Sequence, residues 1–139
     1  MKLVFVGDTC VGKTSLIVTY VNEEFPDIRA PTVSDTFTAK RSHKGHEISL
    51  QIFDTAGSND LAQMRIISYS GTDAFLVCFS LVDRTSFDHA VSSWVSELRA
   101  TARLVPVILV GTKQDLRDEY MVSGREAECI SDQEAMQAV

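Results

Sequence analysis

The sequence holds few cysteines, few basic residues and no long apolar run, and each scarcity excludes a class of protein. Its three cysteines, Cys10, Cys78 and Cys129, are widely separated, which fits neither a disulfide framework nor a zinc knuckle. With 13 Lys and Arg against 19 Asp and Glu, the formal net charge is −6. That balance argues against a nucleic-acid partner, because binding to nucleic acid depends on neutralising phosphates. No apolar run approaches the ~20 residues of a membrane span.

The remaining features are typical of one folded domain. A chain of 139 residues with 45% hydrophobic content is large enough for a real core, and we assign residues 1–139 to a single domain. The first apolar residues belong to a predicted strand, so we expect no signal peptide. These features predict a cytoplasmic protein. Its histidines, His43, His46 and His89, have no metal-ligand spacing and are expected at the surface.

A glycine-rich stretch near the start of the chain predicts a phosphate site. Residues 7–14 read Gly-Asp-Thr-Cys-Val-Gly-Lys-Thr and match G-x-x-x-x-G-K-[ST], the P-loop pattern. An apolar run over residues 2–6 predicts a strand before it, and residues 15–21 continue as a predicted helix. Backbone N–H groups and the positive end of the helix dipole then converge on anionic oxygens, which predicts nucleotide binding. The residues assigned to this loop site are Thr9, Cys10, Val11, Gly12, Lys13, Thr14 and Ser15.

Strands and helices alternate along the rest of the chain. Residues 36–42 and 47–53 predict a hairpin closed by Lys44-Gly45. Apolar runs over 74–79 and 105–110 predict strands buried on both faces. We therefore expect an α/β fold of the P-loop NTPase class, with a doubly wound, mainly parallel sheet and one antiparallel edge hairpin.

Two helices are predicted in the second half. Apolar spacing over residues 86–99 predicts a helix and places Phe87 and Trp94 in the core. Ser131 with Glu134 predicts a capping box that opens a last helix running to Val139.

Two polar stretches follow predicted strands, where this fold binds ligands. In Asp54-Thr55-Ala56-Gly57, the aspartate can hold a metal through water and the Gly57 N–H can meet a terminal phosphate. In Thr112-Lys113-Gln114-Asp115, the Asp115 carboxylate can accept hydrogen bonds from N1–H and the 2-amino group of guanine. Adenine lacks that pattern, so the stretch favours GTP over ATP.

These motifs resemble the Ras superfamily of small GTPases and, within it, the Rho/Rac family. The resemblance covers nearly the whole chain and also rests on Pro31-Thr32-Val33 and on Arg65 with Ser68-Tyr69. Thr112 stands where the superfamily usually has Asn, as it commonly does in Rac-type members. The resemblance implies a molecular switch in signal transduction, cytoskeletal within this family, that binds GTP or GDP with Mg²⁺ and hydrolyses GTP.

The resemblance also assigns roles to single residues. Phe25 and Lys113 would lie against the two faces of the guanine ring, and Gly57 would sense the γ-phosphate. The Mg²⁺ ligands would be Thr14, Thr32 and, through water, Asp54. Two switch loops, residues 22–36 and 57–70, would bind effector proteins and exchange factors.

Two departures from the family pattern predict slow hydrolysis. Ser58 replaces the catalytic Gln that orients the attacking water, and a serine hydroxyl is too short to bridge water and phosphate. Thr9 replaces a glycine and brings a branched side chain towards the transition state. The Rnd branch of the Rho family shows similar replacements. Arg29 stands three residues before Thr32, the spacing of the arginine finger in heterotrimeric G-protein α subunits; a solvated loop cation is the simpler interpretation.

Three alternatives stay open. The chain could be an effector-recruiting module held permanently with GTP, or a degenerate G domain that binds nucleotide weakly. An ATP-specific enzyme is disfavoured by Lys113 and Asp115. The family pattern continues with another strand, a final helix and a lipidated basic tail, so we expect a small GTPase domain lacking its last strand and helix. Membrane association would require a tail absent from this sequence.

Overall fold

The fold is built on a five-stranded sheet. The computed structural model describes residues 1–27, 31–125 and 129–138. The sheet has the order β2-β3-β1-β4-β5, and only β2 and β3 are antiparallel. This confirms the α/β class, the mainly parallel sheet and the antiparallel edge hairpin. The strands are β1 (Lys2–Val6), β2 (Ser34–His43), β3 (His46–Thr55), β4 (Ala74–Ser80) and β5 (Val107–Thr112).

Helices follow the strands. The helix predicted over residues 86–99 is part of a longer helical run, in which α3 continues through a π-helical stretch, Ala90–Trp94, into α4. The capping box at Ser131 is confirmed, since the Glu134 N–H donates to Ser131 Oγ (3.2 Å) and the Ser131 N–H donates to Glu134 Oε2 (3.1 Å). The α-helices are α1 (Lys13–Asn22), α2 (Ala62–Ile67), α3 (Arg84–His89), α4 (Val95–Thr101), α5 (Gln114–Val122) and α6 (Asp132–Gln137), and a 3₁₀ helix covers Asn59–Leu61.

The sheet is covered on both faces because consecutive residues of its central strands point to opposite sides. Val4 and Val6 of β1 pack on one side with Phe87, Trp94 and Leu98 of the helical run. On the other side, Phe5, Ile52 and Cys78 pack with Val11 and Ile17, which bring the P-loop and α1 onto the sheet. Phe87 and Trp94 are core residues, as the sequence predicted.

The prediction for residues 105–110 was partly wrong. The strand begins at Val107 and forms the edge of the sheet in the described part of the chain. Ile108 is 51% exposed, so this strand is not buried on both faces. An apolar run has the same composition in a central strand as in a strand at the edge, and only the pairing of strands separates the two.

The hairpin turn has the predicted position. Lys44 (φ 49°) and Gly45 (φ 79°) are both left-handed, as a two-residue type I′ turn requires, and His43 lies opposite His46. The turn is at the end of β3 away from the P-loop. In the described ranges, none of the helices has the length and apolar character needed to cross a membrane.

Candidate nucleotide-binding site

The three sequence stretches predicted to bind nucleotide lie together at the carboxyl ends of the parallel strands. The P-loop follows β1, Asp54–Gly57 closes β3, and Thr112–Asp115 closes β5; the carboxyl ends of parallel strands form the usual ligand site of such sheets. A cavity of about 520 Å³ lies between them. Its lining includes most of the predicted contacts: Thr9, Cys10, Gly12, Lys13, Thr14, Ser15, Thr32, Gly57 and Lys113.

The P-loop backbone needs both glycines. A Cβ on Gly7 would overlap the carbonyl oxygen of Cys78 on β4, so only glycine allows this approach. Gly12 has φ 98° and precedes the first turn of α1, where no side chain of the described residues caps the helix. The N–H groups of this turn are therefore available to an anion.

Lys13 is held against the loop that it would leave on binding phosphate. Its side chain is buried, and Nζ donates to the carbonyl oxygens of Gly7 (2.9 Å) and Asp8 (2.6 Å). Burial lowers the pKa of Lys13, because desolvation penalises its charged form. A bound phosphate would compensate that cost with opposite charge.

The oxygens of Thr14, Thr32 and Asp54 converge on one point. The Thr14 hydroxyl donates to Asp54 Oδ2 and lies 2.6 Å from the Thr32 hydroxyl, which is 3.4 Å from the same carboxylate oxygen. Asp54 is fully buried, and its Oδ1 has no partner among the described residues. Burial raises the pKa of Asp54. Hard oxygen donors with an orphaned carboxylate oxygen suit Mg²⁺, so these three residues fit the metal that the sequence predicted.

The second predicted switch lies directly on the P-loop. A Cβ on Gly57 would overlap the backbone of Asp8 and Thr9. The Ser58 hydroxyl accepts from the Asp60 N–H (3.3 Å) and caps the 3₁₀ helix, so it already has a local structural partner. Thr9 is exposed and lines the cavity. Arg29, for which an arginine finger was the alternative to a solvated loop cation, lies outside the described residues.

The guanine side of the site is tied to the P-loop by two side chains. Lys113 has φ 60°, and its Nζ donates to the Cys10 carbonyl (2.7 Å). The Thr112 hydroxyl lies between the carbonyls of Val11 and Phe79. Four predicted contacts do not line the cavity: Val11 is a core residue, the Thr112 hydroxyl is bonded to backbone carbonyls, and Phe25 and Asp115 are exposed.

Sequence reasoning missed two partners of the P-loop. Trp94 Nε1 donates to Asp8 Oδ1 (2.7 Å), and His89 Nδ1 lies 2.6 Å from Asp8 Oδ2. Trp94 was expected only as a core residue and His89 only at the surface. A buried indole N–H usually needs an acceptor, and that rule was the one available signal.

A buried arginine joins the second switch to the helical run. Arg65 donates to both carboxylate oxygens of Glu97 (3.0 and 2.8 Å) and to the Ser58 carbonyl (2.7 Å). The Tyr69 hydroxyl donates to Glu97 as well (2.6 Å). Burial alone would raise the pKa of Glu97, but the hydrogen bonds from Arg65 and Tyr69 hold it below its usual range. Burial and the bond to Glu97 raise the pKa of Tyr69.

Comparison with protein families agrees with this architecture. The family described as the Ras family matches residues 2–139, which include the P-loop, both predicted switch loops and the guanine-side stretch. A match over nearly the whole length, on a fold with this strand order and these loops, shows that the chain belongs to the Ras family of small GTP-binding proteins.

Proposed function

We propose that this protein is a Rho-like GTP-binding switch that hydrolyses GTP slowly. Membership of the Ras family supports guanine-nucleotide binding and GTP hydrolysis in general. One observation carries the proposal further: Thr14 of the P-loop, Thr32 of the first switch loop and Asp54 of β3 meet within hydrogen-bond distance. Two loops and one strand end would thus share a single metal-phosphate site.

The switch would work through the loops that touch this site. Bound Mg²⁺ would neutralise charge on the β- and γ-phosphates. Lys13 Nζ would exchange the carbonyls of Gly7 and Asp8 for phosphate oxygens, and the Gly57 N–H would meet the γ-phosphate. Thr32 would hold the first switch while that phosphate is present. Loss of the γ-phosphate would release both switch loops.

The residues beside the predicted γ-phosphate position support slow hydrolysis. The Ser58 hydroxyl accepts a hydrogen bond from the Asp60 N–H. The serine side chain is also shorter than the glutamine whose amide orients water. Thr9 adds a branched side chain to the lining of the nucleotide cavity. A permanently GTP-bound, effector-recruiting module is the second candidate, because both replacements act against hydrolysis.

Exposed apolar side chains support the switch loops as the partner surface. Val33 is 55% exposed, Met64 50% and Ile67 78%. They lie within the predicted switch loops, residues 22–36 and 57–70, where effector proteins and exchange factors would bind.

We place this function in the cytoplasm, with any membrane attachment left to a lipidated tail.

The nucleotide that copurifies with the protein tests the proposal. After denaturation and chromatography, GDP would support a hydrolysing switch and GTP a permanently loaded module. ADP or ATP, or no nucleotide, would contradict guanine-nucleotide switching.

Base selection is tested at Asp115. Asp115→Asn should weaken GTP binding on the order of 100-fold or more, because it removes a charged acceptor, and should admit xanthosine triphosphate. Asp118→Asn, at another exposed position of α5, is the control and should bind GTP as wild type does. Equal GTP affinity in the two variants would refute the assignment.

Single-turnover phosphate release tests slow hydrolysis. Ser58→Gln combined with Thr9→Gly should cleave GTP faster than wild type, and either change alone should give less. Arg29→Ala should slow wild-type cleavage only if that residue acts as an arginine finger. Fast cleavage by wild type that Arg29→Ala leaves intact would overturn both the slow-hydrolysis and the arginine-finger hypotheses.

A further inference from the structure

Both oxygens of a P-loop carboxylate are held by the helical run. Asp8 Oδ1 accepts from Trp94 Nε1 at 2.7 Å, and Oδ2 lies 2.6 Å from His89 Nδ1. Trp94 is 4% exposed, whereas the His89 side chain is half-exposed. One partner is therefore fixed in the core, and the other can exchange protons with solvent.

The position of Asp8 controls the two groups that would contact phosphate. Its carbonyl oxygen accepts from Lys13 Nζ. Its backbone lies so close to Gly57 that a Cβ there would overlap it. A shift of Asp8 would therefore move both the predicted phosphate lysine and the predicted γ-phosphate contact.

We propose that His89 and Trp94 are positioning residues for nucleotide binding, and that the His89–Asp8 contact makes nucleotide release depend on pH. The inference rests on the proposed function, since nucleotide release is its main readout. Neither residue lines the predicted nucleotide cavity; both would act through Asp8.

The surrounding charges determine the direction of the effect. Asp8 faces Lys13 of α1 and shares a second cavity of about 490 Å³ with Arg65, Asp83, His89 and Glu97. Arg65 and Glu97 are paired with each other, and the Asp83 carboxylate caps α3. Asp88 adds a further negative charge beside His89 on its own helix.

Histidine changes its charge between pH 5 and 8. A protonated His89 donates to Asp8 and neutralises its charge next to the phosphate loop. A neutral ring keeps at most the uncharged hydrogen bond. The hydrogen bond donated by protonated His89 and the neutralised charge of Asp8 both predict slower nucleotide release at acid pH, by about two- to fivefold for a half-exposed pair.

The first experiment measures the dissociation rate of a fluorescent GDP analogue between pH 5.5 and 8 with excess Mg²⁺. Wild type is compared with His89→Asn, whose amide can keep a neutral hydrogen bond without a charge. His46→Asn, at the far end of the sheet, is the control. The ratio of the His89→Asn rate to the wild-type rate should rise as pH falls, while His46→Asn follows wild type. Superimposed profiles for wild type and His89→Asn would overturn the proposal.

This comparison also removes the effect of Asp54, which loses its charge at acid pH in all three proteins. Loss of Mg²⁺ binding would speed release equally in each of them. Only the difference between wild type and His89→Asn reports the Asp8 contact.

The second experiment needs no nucleotide. Trp94 is the only tryptophan of the chain, so its indole N–H gives a single NMR resonance that reports the bond to Asp8. In nucleotide-free protein this resonance should shift with pH in wild type and lose that shift in His89→Asn. Trp94→Phe keeps a large ring but no donor, and should speed GDP release on the order of tenfold at every pH, because it removes a buried hydrogen bond to a charged group.

The two experiments separate the two hypotheses. If wild type binds no guanine nucleotide, the proposed function fails, and the indole titration still decides whether His89 positions Asp8. An indole resonance that shifts equally in wild type and His89→Asn would refute the positioning role.

Discussion

The guanidinium of Arg65 lies over the indole ring of Trp94, with its central carbon 4.5 Å from the ring centroid. The indole N–H of the same tryptophan binds Asp8 of the P-loop. One side chain thus contacts the second switch by its face and the phosphate loop by its edge. Cation–π contacts of this kind contribute about 0.5–2 kcal/mol, and this one joins two loops that would both touch phosphate.

Arg65→Lys should destabilise the protein more than its unchanged charge suggests. Arg65 makes these three bonds from three different nitrogens, whereas lysine carries its donors on one nitrogen and cannot span the same acceptors, so we expect a loss of about 2 kcal/mol in the free energy of unfolding. Urea denaturation measures this loss. Arg84→Lys is the control, because the Arg84–Glu134 pair is exposed and such pairs contribute about 0–1 kcal/mol. Equal losses in the two variants would contradict the importance of the buried network.

The loss of stability caused by Arg65→Lys should also depend on pH. The pKa of Glu97 is held below its usual range in the folded protein. A carboxylate with a lowered folded-state pKa contributes stability above its unfolded pKa and loses it as pH falls through the folded value. The stability gap between wild type and Arg65→Lys should therefore narrow on acidification. A gap that stays constant down to the acid transition would refute this reading of Glu97.

Gly57→Ala should uncouple the second switch from the P-loop. The added Cβ would meet the backbone of Asp8 and Thr9, which cannot move aside as a flexible side chain could. Overpacking of this kind costs about 1–3 kcal/mol. Because the Gly57 N–H would contact the γ-phosphate, which only GTP carries, the ratio of GTP affinity to GDP affinity should fall about tenfold. Competition binding measures the preference. Gly71→Ala tests a left-handed glycine with open space around it and should leave the preference unchanged.

Asp54→Asn should weaken Mg²⁺ binding by about 10–100-fold, the usual loss for a residue that supports a metal through hydrogen bonds. Without metal, burial raises the pKa of Asp54. Its contribution to stability is therefore present at low pH and lost as pH rises through the folded-state value. Mg²⁺ needs the ionised carboxylate, so the melting-temperature gain from Mg²⁺ should grow with pH.

The metal prediction has a matched control on the neighbouring strand. Asp35 lies opposite Asp54 in the hairpin and is exposed. Its charge adds to the burial that raises the pKa of Asp54, so Asp35→Asn should keep Mg²⁺ binding and move the response to Mg²⁺ only slightly towards lower pH. Melting temperatures with and without Mg²⁺, from pH 4 to 8 with GDP present, make the comparison. A full Mg²⁺ response in Asp54→Asn would remove this residue from the metal site.

Cys10 should react with alkylating agents more slowly once nucleotide is bound. It is exposed at the candidate site, beside the helix N-terminus that would bind phosphate. Bound phosphate would shield the thiol and add negative charge, which disfavours the thiolate. Cys78 and Cys129 are buried, and burial raises the pKa of Cys78 to about 12, so both should stay slow in either state. Mass spectrometry resolves the three sites, and equal Cys10 rates with and without nucleotide would contradict the prediction.

Local patterns predicted the P-loop and the mainly parallel sheet with its edge hairpin well, and long-range contacts less well. The strand, glycine loop and helix of residues 2–22 are encoded within one short segment, so spacing and turn chemistry were enough. The edge position of β5 depends on which strands pair, which an apolar run over residues 105–110 does not record. The π-helical stretch at Ala90–Trp94 was equally hidden, because a helical spacing read over 86–99 does not register one widened turn.

The contacts of Asp8 show why the site was only partly predictable. Trp94 and His89 lie 86 and 81 positions away along the chain, and nothing in their local sequence points to the P-loop. Asp54 and Lys113, by contrast, lie at the carboxyl ends of β3 and β5, and these strand ends form the site. Residues placed by strand ends can be found from sequence, whereas residues placed by packing of a helix across the sheet need the structure.

The ties between β5 and the P-loop bear on how a nucleotide gets in and out. Lys113 Nζ and the Thr112 hydroxyl reach the carbonyls of Cys10 and Val11, so the base-side and phosphate-side walls are fastened together at two points. We expect these two walls to move together as one rigid unit. Within the described residues, Thr32 reaches the site through its hydroxyl, which contacts Thr14 and Asp54, and we expect nucleotide exchange to proceed on that side.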